Sequence, residues 1–211
     1  MTEEEARSLL DVPRETMVKL EAFVALLVAE NKRQNLVSQS TVESIWARHI
    51  LDSAQLARLA PATSRSWIDI GSGAGLPGIV TSLLLPDVRT TLVEPRKLRV
   101  EFLRHVVSAL EQEERIRILP VKVAAVPAET FDVISARAFA PLTSLFTSAE
   151  HFAAPETRWV LPKGRNAKSE LEEAESLWQG VFRLEPSLTD EDARIIVAEQ
   201  VRRKPRGRRG R

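Results

Sequence analysis

The sequence predicts an α/β fold: a mostly parallel sheet flanked by helices, closed by a carboxyl-terminal antiparallel hairpin and preceded by a small helical segment. Three observations predict it. Short apolar, β-branched runs alternate with helical patterns over residues 66–178, which gives parallel strands joined by right-handed crossovers. The first of these runs breaks at Gly71-Ser72-Gly73-Ala74-Gly75-Leu76-Pro77-Gly78, a tight turn leading into a helix start. The last two runs flank Thr189-Asp190-Glu191-Asp192 and are most simply paired as a hairpin.

In chain order, Met17, Leu20, Phe23, Val24, Leu27 and Val28 recur at three- and four-residue steps, so Arg14 to about Lys32 forms an amphipathic helix, with Pro13 in its first turn. After a polar break at 34–40, Ser40 or Thr41 caps a second helix carrying Val42, Ile45, Trp46, His49, Ile50, Ser53 and Leu56. Strands are expected at 66–70, 90–94, 116–121, 131–135 and 158–161. Helices are expected at 77–85, about 95–110 with Leu98, Phe102, Leu103, Val106, Val107 and Leu110 inward, 142–152 and 167–178. The closing hairpin pairs 181–184 with 193–199.

The chain has 211 residues, 44 % of them hydrophobic, enough for one substantial core. The organisation expected is a helical segment at 1–60, a ligand-binding α/β domain at 61–201 and a basic, disordered tail at 202–211. Zero cysteines exclude disulfides and thiolate metal sites, and three scattered histidines do not suggest a zinc centre, so no metal is expected. No apolar run approaches the roughly 18 residues of a membrane span, and the first residues are acidic where a signal peptide is basic. A cytoplasmic protein without a membrane partner is the expectation. The formal charge of +1 hides an asymmetry: seven basic residues and no acid follow from Arg202 onward, leaving the rest at 1 − 7 = −6. Arg202, Arg203 and Lys204 open this stretch, which suits attraction to a polyanion.

The glycine turn supplies the first functional inference. Glycines at 71, 73 and 75 let the backbone adopt positive φ and approach a ligand closely, and the following helix start favours an anionic group. Asp69, at the carboxyl end of the strand, suits a cation such as an amine. Glu94 closes the second strand 19 positions after Gly75, near the roughly twenty-residue spacing at which such folds set a carboxylate on ribose hydroxyls. A nucleoside ligand with charge of both signs fits. A nicotinamide oxidoreductase is one reading, opposed by the absence of a second βαβ half and by the terminal hairpin. Methyltransferases that use S-adenosylmethionine end in such a hairpin.

Further blocks resemble a known family. Asn31-Lys32-x-x-Asn35-Leu36, Arg48-His49-Ile50-Leu51-Asp52-Ser53, the glycine turn, Ser135-Ala136-Arg137-Ala138-Phe139 and Leu161-Pro162-Lys163-Gly164 occur in the order seen in the RsmG, or GidB, family. The resemblance implies a class I methyltransferase, Rossmann-like, that methylates N7 of a guanine in bacterial 16S rRNA using S-adenosyl-L-methionine. It implies cofactor contacts from Asp69, Gly71, Gly73, Gly75 and Leu76 in the turn, from Glu94 on the ribose, from Val123 and Ala124 at the adenine, and from Arg137 facing the substrate. The family has arginine and glutamate around that valine, whereas this chain has Lys122-Val123-Ala124-Ala125; Glu30 replaces a tryptophan usual before Asn31. A non-catalytic RNA-binding relative of the same fold is a further alternative.

The implied chemistry needs no general base, because guanine N7 carries a lone pair and no hydrogen. Positioning is then the catalytic task, and Arg137, Asn35 and His49 are the residues expected to perform it, with Asp52 nearby. Lys163, Arg202, Arg203 and Lys204 are expected to meet RNA phosphate. The expected partner is 16S rRNA or the small ribosomal subunit, and the expected state is a monomer.

Overall fold

The structure is a computed structural model that describes residues 1–205. Its centre is one sheet built of β1 (Ser66–Ile70), β2 (Arg89–Val93), β3 (Ile116–Leu119), β4 (Phe131–Ser135), β5 (Ala153–Lys163), β6 (Trp178–Pro186) and β7 (Arg194–Arg203). The strand order is β3-β2-β1-β4-β5-β7-β6. β1 through β5 pair in parallel, and β7 pairs antiparallel with both β5 and β6. The order reverses at β1, which lies between β2 and β4. Open sheets bind ligands outside the carboxyl ends of the strands at such a reversal. The glycine turn leaves β1 there, and the Ala136–Pro141 loop leaves β4 beside it.

Helices cover both faces. α1 (Glu3–Ser8), α2 (Arg14–Gln34), α3 (Asp52–Ala54), α4 (Gly78–Leu84) and α5 (Lys97–Ala109) precede α6 (Leu142–Ala149) and α7 (Ala167–Glu175). Leu20, Phe23 and Leu27 of α2 share one apolar cluster with Ile79 and Val80 of α4 and Phe102 and Leu103 of α5. The amino-terminal segment is therefore built into the core of the sheet domain. The other face holds Leu145 and Phe146 of α6 with Trp159 of β5, and the Phe146 and Trp159 rings meet edge to face at 5.0 Å.

Several expectations change. The helix expected from Thr41 to Leu56 is a succession of tight and wide turns: 3₁₀ over Gln39–Ser44, π over Trp46–Leu51, α3, and 3₁₀ over Gln55–Leu59. The cause lies in α1, which the periodicity did not reveal. Its Glu3 carboxylate accepts from the amides of Trp46 (3.0 Å) and Ala47 (3.1 Å), so these donors are satisfied outside a regular ladder. The signal for α1 was present as a capping box, Thr2-x-x-Glu5, whose reciprocal bonds both form. Pro13 stands at the N-cap of α2, ahead of its first turn.

Leu98, expected inward, is 57 % exposed, and its carbonyl accepts from Gln34 Nε2 on α2. Trp178, expected at a helix end, opens β6 and is buried. The hairpin is longer than expected, so Arg202 and Arg203 belong to β7 and the expected tail does not begin at 202. Arg203 pairs with Glu150 (3.0 Å) and lies over the Trp178 ring, 4.9 Å from its centroid. Lys204 donates its amide to Leu177 O (2.8 Å). The remaining tail residues, 206–211, lie outside the described residues.

Candidate active site

The turn after β1 has all three glycines at positive φ: 71° at Gly71, 55° at Gly73 and 84° at Gly75. At two of them space is also exhausted. A Cβ on Gly75 would sit 2.6 Å from Ile79 Cγ1, and one on Gly71 would sit 2.7 Å from Phe139 Cδ2. The amides of Gly71 and Ser72 donate to Val93 O at 2.9 and 3.1 Å, pinning the turn against the end of β2.

Asp69 does not offer a free carboxylate to an amine, as its position in sequence had suggested. It is fully buried, with Oδ1 accepting from Ser135 Oγ (2.8 Å) and Oδ2 from the Gly78 amide (3.3 Å). Trp67 Nε1 donates to the same serine oxygen at 2.8 Å. Burial pushes the Asp69 carboxyl up to about 6, against the lowering effect of its hydrogen bonds and of the Arg137 charge. Asp69 thus braces the glycine turn from behind, joining β1, β4 and the start of α4.

Glu94 is also buried, at the head of the turn. Its carboxylate accepts from the amides of Gly73 (3.0 Å) and Arg96 (2.9 Å) and from Arg96 Nε (2.8 Å) and Nη2 (3.0 Å). Burial works against its charge, but the Arg96 bonds outweigh it and hold the carboxyl below its ordinary value.

Beyond the Ala136–Pro141 loop opens a cleft of about 560 Å³, whose walls include Arg48, His49, Asp52, Arg137, Phe139 and Lys163. Arg137 is its central group. One guanidinium nitrogen donates to His49 Nδ1 (2.7 Å) and the other to Asp52 Oδ2 (3.3 Å). An arginine only donates, so Nδ1 must accept and the ring proton sits on Nε2, 2.7 Å from Thr41 Oγ1. Thr41 spends its own proton on Ser38 O (2.8 Å), which requires the same tautomer. Burial, then the charges of Arg137 and Arg48, push the His49 imidazole down to about 4. Burial also holds Arg137 below the ordinary arginine value, with Asp52 and Asp69 opposing it.

Of the cleft's other cations, Arg194 donates to the carbonyls of Glu191 and Ala193, and two are matched to acids. Lys163 donates to Glu170 (2.8 Å) and to Ala140 O (3.0 Å), and Arg48 pairs with Asp190 at 3.1 Å. Lys163 therefore bolts the loop after β4, a role different from the phosphate contact expected of it. Asp52 Oδ1 accepts from Thr189 (2.9 Å) and Gln55 (3.0 Å), tying the hairpin turn to the amino-terminal segment.

Of the residues expected to position the reaction, His49 and Arg137 meet in this cleft and Asn35 does not. Asn35 ends α2 in the left-handed conformation, φ 45°, and is exposed; asparagine tolerates that conformation, which explains its presence. Its neighbour Asn31 is buried and accepts from the Val37 amide at 2.8 Å. Val123 and Ala124 form a 3₁₀ turn beyond β3, Val123 partly buried and Ala124 exposed. Leu76 is buried behind the glycine turn. Sequence reasoning missed Thr41, Thr189, Glu170 and Arg96, polar residues in loops or helix starts without a pattern of their own. Among the described residues no cluster of three or more His, Cys, Asp or Glu suits a metal ion, and no helix is long and apolar enough to cross a membrane.

A parallel sheet that reverses at β1, a glycine turn with an acid at the next strand end, and an antiparallel hairpin define a class I methyltransferase fold. Solved structures agree on the fold. They include a glycopeptide N-methyltransferase complexed with S-adenosyl-L-methionine (TM-score 0.59, 10 % identity, covering 70 % of this chain and 92 % of that one). A ribosomal protein L11 methylase from Lactobacillus delbrueckii subsp. bulgaricus is similar too (TM-score 0.56, 16 % identity, 74 % and 78 % covered). The chain belongs to the GidB family, described as rRNA small subunit methyltransferase G, which it matches over residues 16–187. A Rhizorhabdus wittichii protein named ribosomal RNA small subunit methyltransferase G is 49 % identical over 100 % of this chain and 99 % of its own length. A Zymomonas mobilis protein of the same name is 47 % identical over 95 % of both chains.

The two buried groups act on stability in opposite senses. His49, about 4 folded against 6.5 free, contributes stability that is complete above about pH 6.5 and lost as pH falls toward 4. Asp69, about 6 folded against 3.8 free, contributes stability present below 3.8 and lost as pH rises through 6. Each amounts to about 3 kcal/mol, because a tenfold change in proton affinity is worth about 1.4 kcal/mol. Urea unfolding of Asp69→Asn and His49→Gln between pH 4 and 7 should therefore show Asp69→Asn gaining on wild type as pH rises and His49→Gln losing ground. Parallel curves for the two variants would contradict these protonation states.

Proposed function

We propose that this protein transfers the methyl group of S-adenosyl-L-methionine to N7 of a guanine in 16S rRNA, acting in the cytoplasm on the small ribosomal subunit or its RNA. One observation carries the reading: the segment leaving β4 touches both halves of the site. Ser135 bonds Asp69 behind the glycine turn, Phe139 rests on Gly71, and Arg137 reaches His49 and Asp52 in the cleft. A donor bound at the turn and an acceptor bound in the cleft would meet across this loop.

The turn suits the cofactor. Positive φ at Gly71, Gly73 and Gly75 folds the backbone into a tight turn that no side chain fits, and the buried Glu94 is a carboxylate suited to a ribose diol. The adenine would lie along the Val123–Ala125 turn, where backbone groups must replace the carboxylate other members carry. When bound, S-adenosylmethionine supplies an electrophilic methyl on a positively charged sulfur. Guanine N7 would take that methyl through its lone pair, with the electron pair of the carbon–sulfur bond staying on sulfur and the positive charge passing to the purine.

No base is needed, and His49 is not free to serve as one. Both nitrogens of neutral His49 are committed, one to Arg137 and one to Thr41. The protein's task is alignment, which can supply several orders of magnitude in rate. A guanine within a paired A-form helix hides N7 in a narrow groove, so the acceptor must be opened out of its stack to enter the cleft. Arg202 and Lys204, exposed at the end of the sheet, suit backbone phosphate; Arg203 is shared with Glu150.

The direct test incubates the protein and labelled S-adenosylmethionine with small subunits lacking the modification. Labelled 7-methylguanosine in the digested RNA is the expected result; label at another position, or none, would overturn the reading. A second expectation concerns Arg96, which with two backbone amides fills the acceptor sites of Glu94 although its side chain is 57 % exposed. Ribose hydroxyls can bond to Glu94 only if this guanidinium swings away. Calorimetry should show Arg96→Ala binding S-adenosylmethionine up to about fivefold more tightly, the worth of a half-exposed ion pair of up to about 1 kcal/mol. Weaker binding would mean that Arg96 contacts the cofactor.

A further inference from the structure

The cleft holds charge on every wall but little that could grip a flat base by its face. His49 has both nitrogens bonded and is buried, and no tryptophan lines the cleft. Phe139 is the exception: it lines the cleft and is 38 % exposed, whereas Phe23, Phe146 and Phe152 are fully buried.

Its loop is anchored around it. Arg137 is held by His49 and Asp52, Ala140 O accepts from Lys163, and the Leu142 amide donates to Glu170 at 3.2 Å. Ala138 adopts φ 50°, a left-handed conformation that costs energy in any residue with a Cβ and persists where surrounding contacts impose it. The outcome of this restraint is a phenyl ring at the cleft wall with one edge against Gly71. It stands at the boundary between the glycine turn and the acceptor cleft.

We propose that Phe139 is the stacking platform for the acceptor guanine, an inference that rests on the methyl-transfer reading above. An RNA base withdrawn from its neighbours loses its stacking, and an aromatic side chain restores it. The site has a second use for a ring. Methylation places positive charge on the purine, which the face of an aromatic ring attracts and which Arg137, itself a cation, repels. Contact with Gly71 sets the stacked base beside the donor turn, as in-line transfer requires.

The test uses the full chain with small subunits lacking the modification. Phe139→Leu keeps apolar bulk but not the ring, and should lower kcat/KM about ten- to a hundredfold, the range that loss of one base–aromatic stack produces. Its melting temperature and its affinity for S-adenosylmethionine should match wild type, and Phe139→Trp should restore most of the rate. Wild-type turnover by Phe139→Leu, no rescue by Phe139→Trp, or a loss explained by weaker cofactor binding would each overturn the proposal. A readout independent of turnover separates it from the reaction itself. With Phe139→p-benzoylphenylalanine, irradiation should attach the protein to one guanine of the small-subunit RNA, located by primer extension. Cross-linking to that guanine without any methyl transfer would sink the assigned reaction but keep the platform; scattered or absent cross-links would sink the platform.

Discussion

The cleft beside β4 hangs on one guanidinium. Arg137 leaves the end of β4 and donates to His49 Nδ1 and Asp52 Oδ2, so at the cleft one side chain of the sheet domain holds two groups of the amino-terminal segment, in addition to the apolar core the two share. Asp52 passes the connection on to Thr189 in the turn between β6 and β7. The cleft exists because these three parts of the chain are held apart at a set distance. The arrangement works only while His49 is neutral, since a protonated Nδ1 would face a donor with a donor. Burial and the two nearby arginines keep it so, with its pKa near 4.

The glycine turn has a counterpart in Asp69. Two residues of the same β4 exit, Ser135 and Arg137, serve the two sides: Ser135 bonds the buried acid behind the glycine turn, and Arg137 bonds the buried histidine in the cleft. One group is pushed up and the other down, so each is nearer its uncharged form than it would be in water. Of the remaining charge, Lys163 is paired with Glu170 and Arg48 with Asp190, while Arg194 is held by the carbonyls of Glu191 and Ala193. Under the proposed reading, the exposed Arg202 and Lys204 add attraction for RNA phosphate from outside the cleft.

Strand and helix alternation, the glycine turn and the closing hairpin were legible because each rests on local chemistry: apolar period, positive φ and turn residues. The meeting of His49 with Arg137 was legible only through family resemblance, as the two lie 88 positions apart and no local pattern joins them. The irregular turns from Gln39 to Leu59 were not legible, since they follow from a carboxylate, Glu3, more than forty residues away. Asp69 illustrates the same limit. Its place at a strand end announces a carboxylate near the ligand, but its partners Ser135 and Gly78, which turn it inward, come from sheet pairing and helix packing. Lys163 looked like a free cation at a strand end and is instead a bolt, because the glutamate seven residues on returns to it through α7.

The claim on which the rest depends is that Arg137 and Asp52 act as one unit across the junction of the two segments. A double-mutant cycle measures it: unfolding free energies of wild type, Asp52→Asn, Arg137→Gln and the double variant at neutral pH. A coupling energy of about 1–3 kcal/mol is the expected result for a partly buried charged pair within one hydrogen-bond network. Strictly additive effects, with coupling near zero, would mean that the two side chains are neighbours without being a clasp, and would contradict the account.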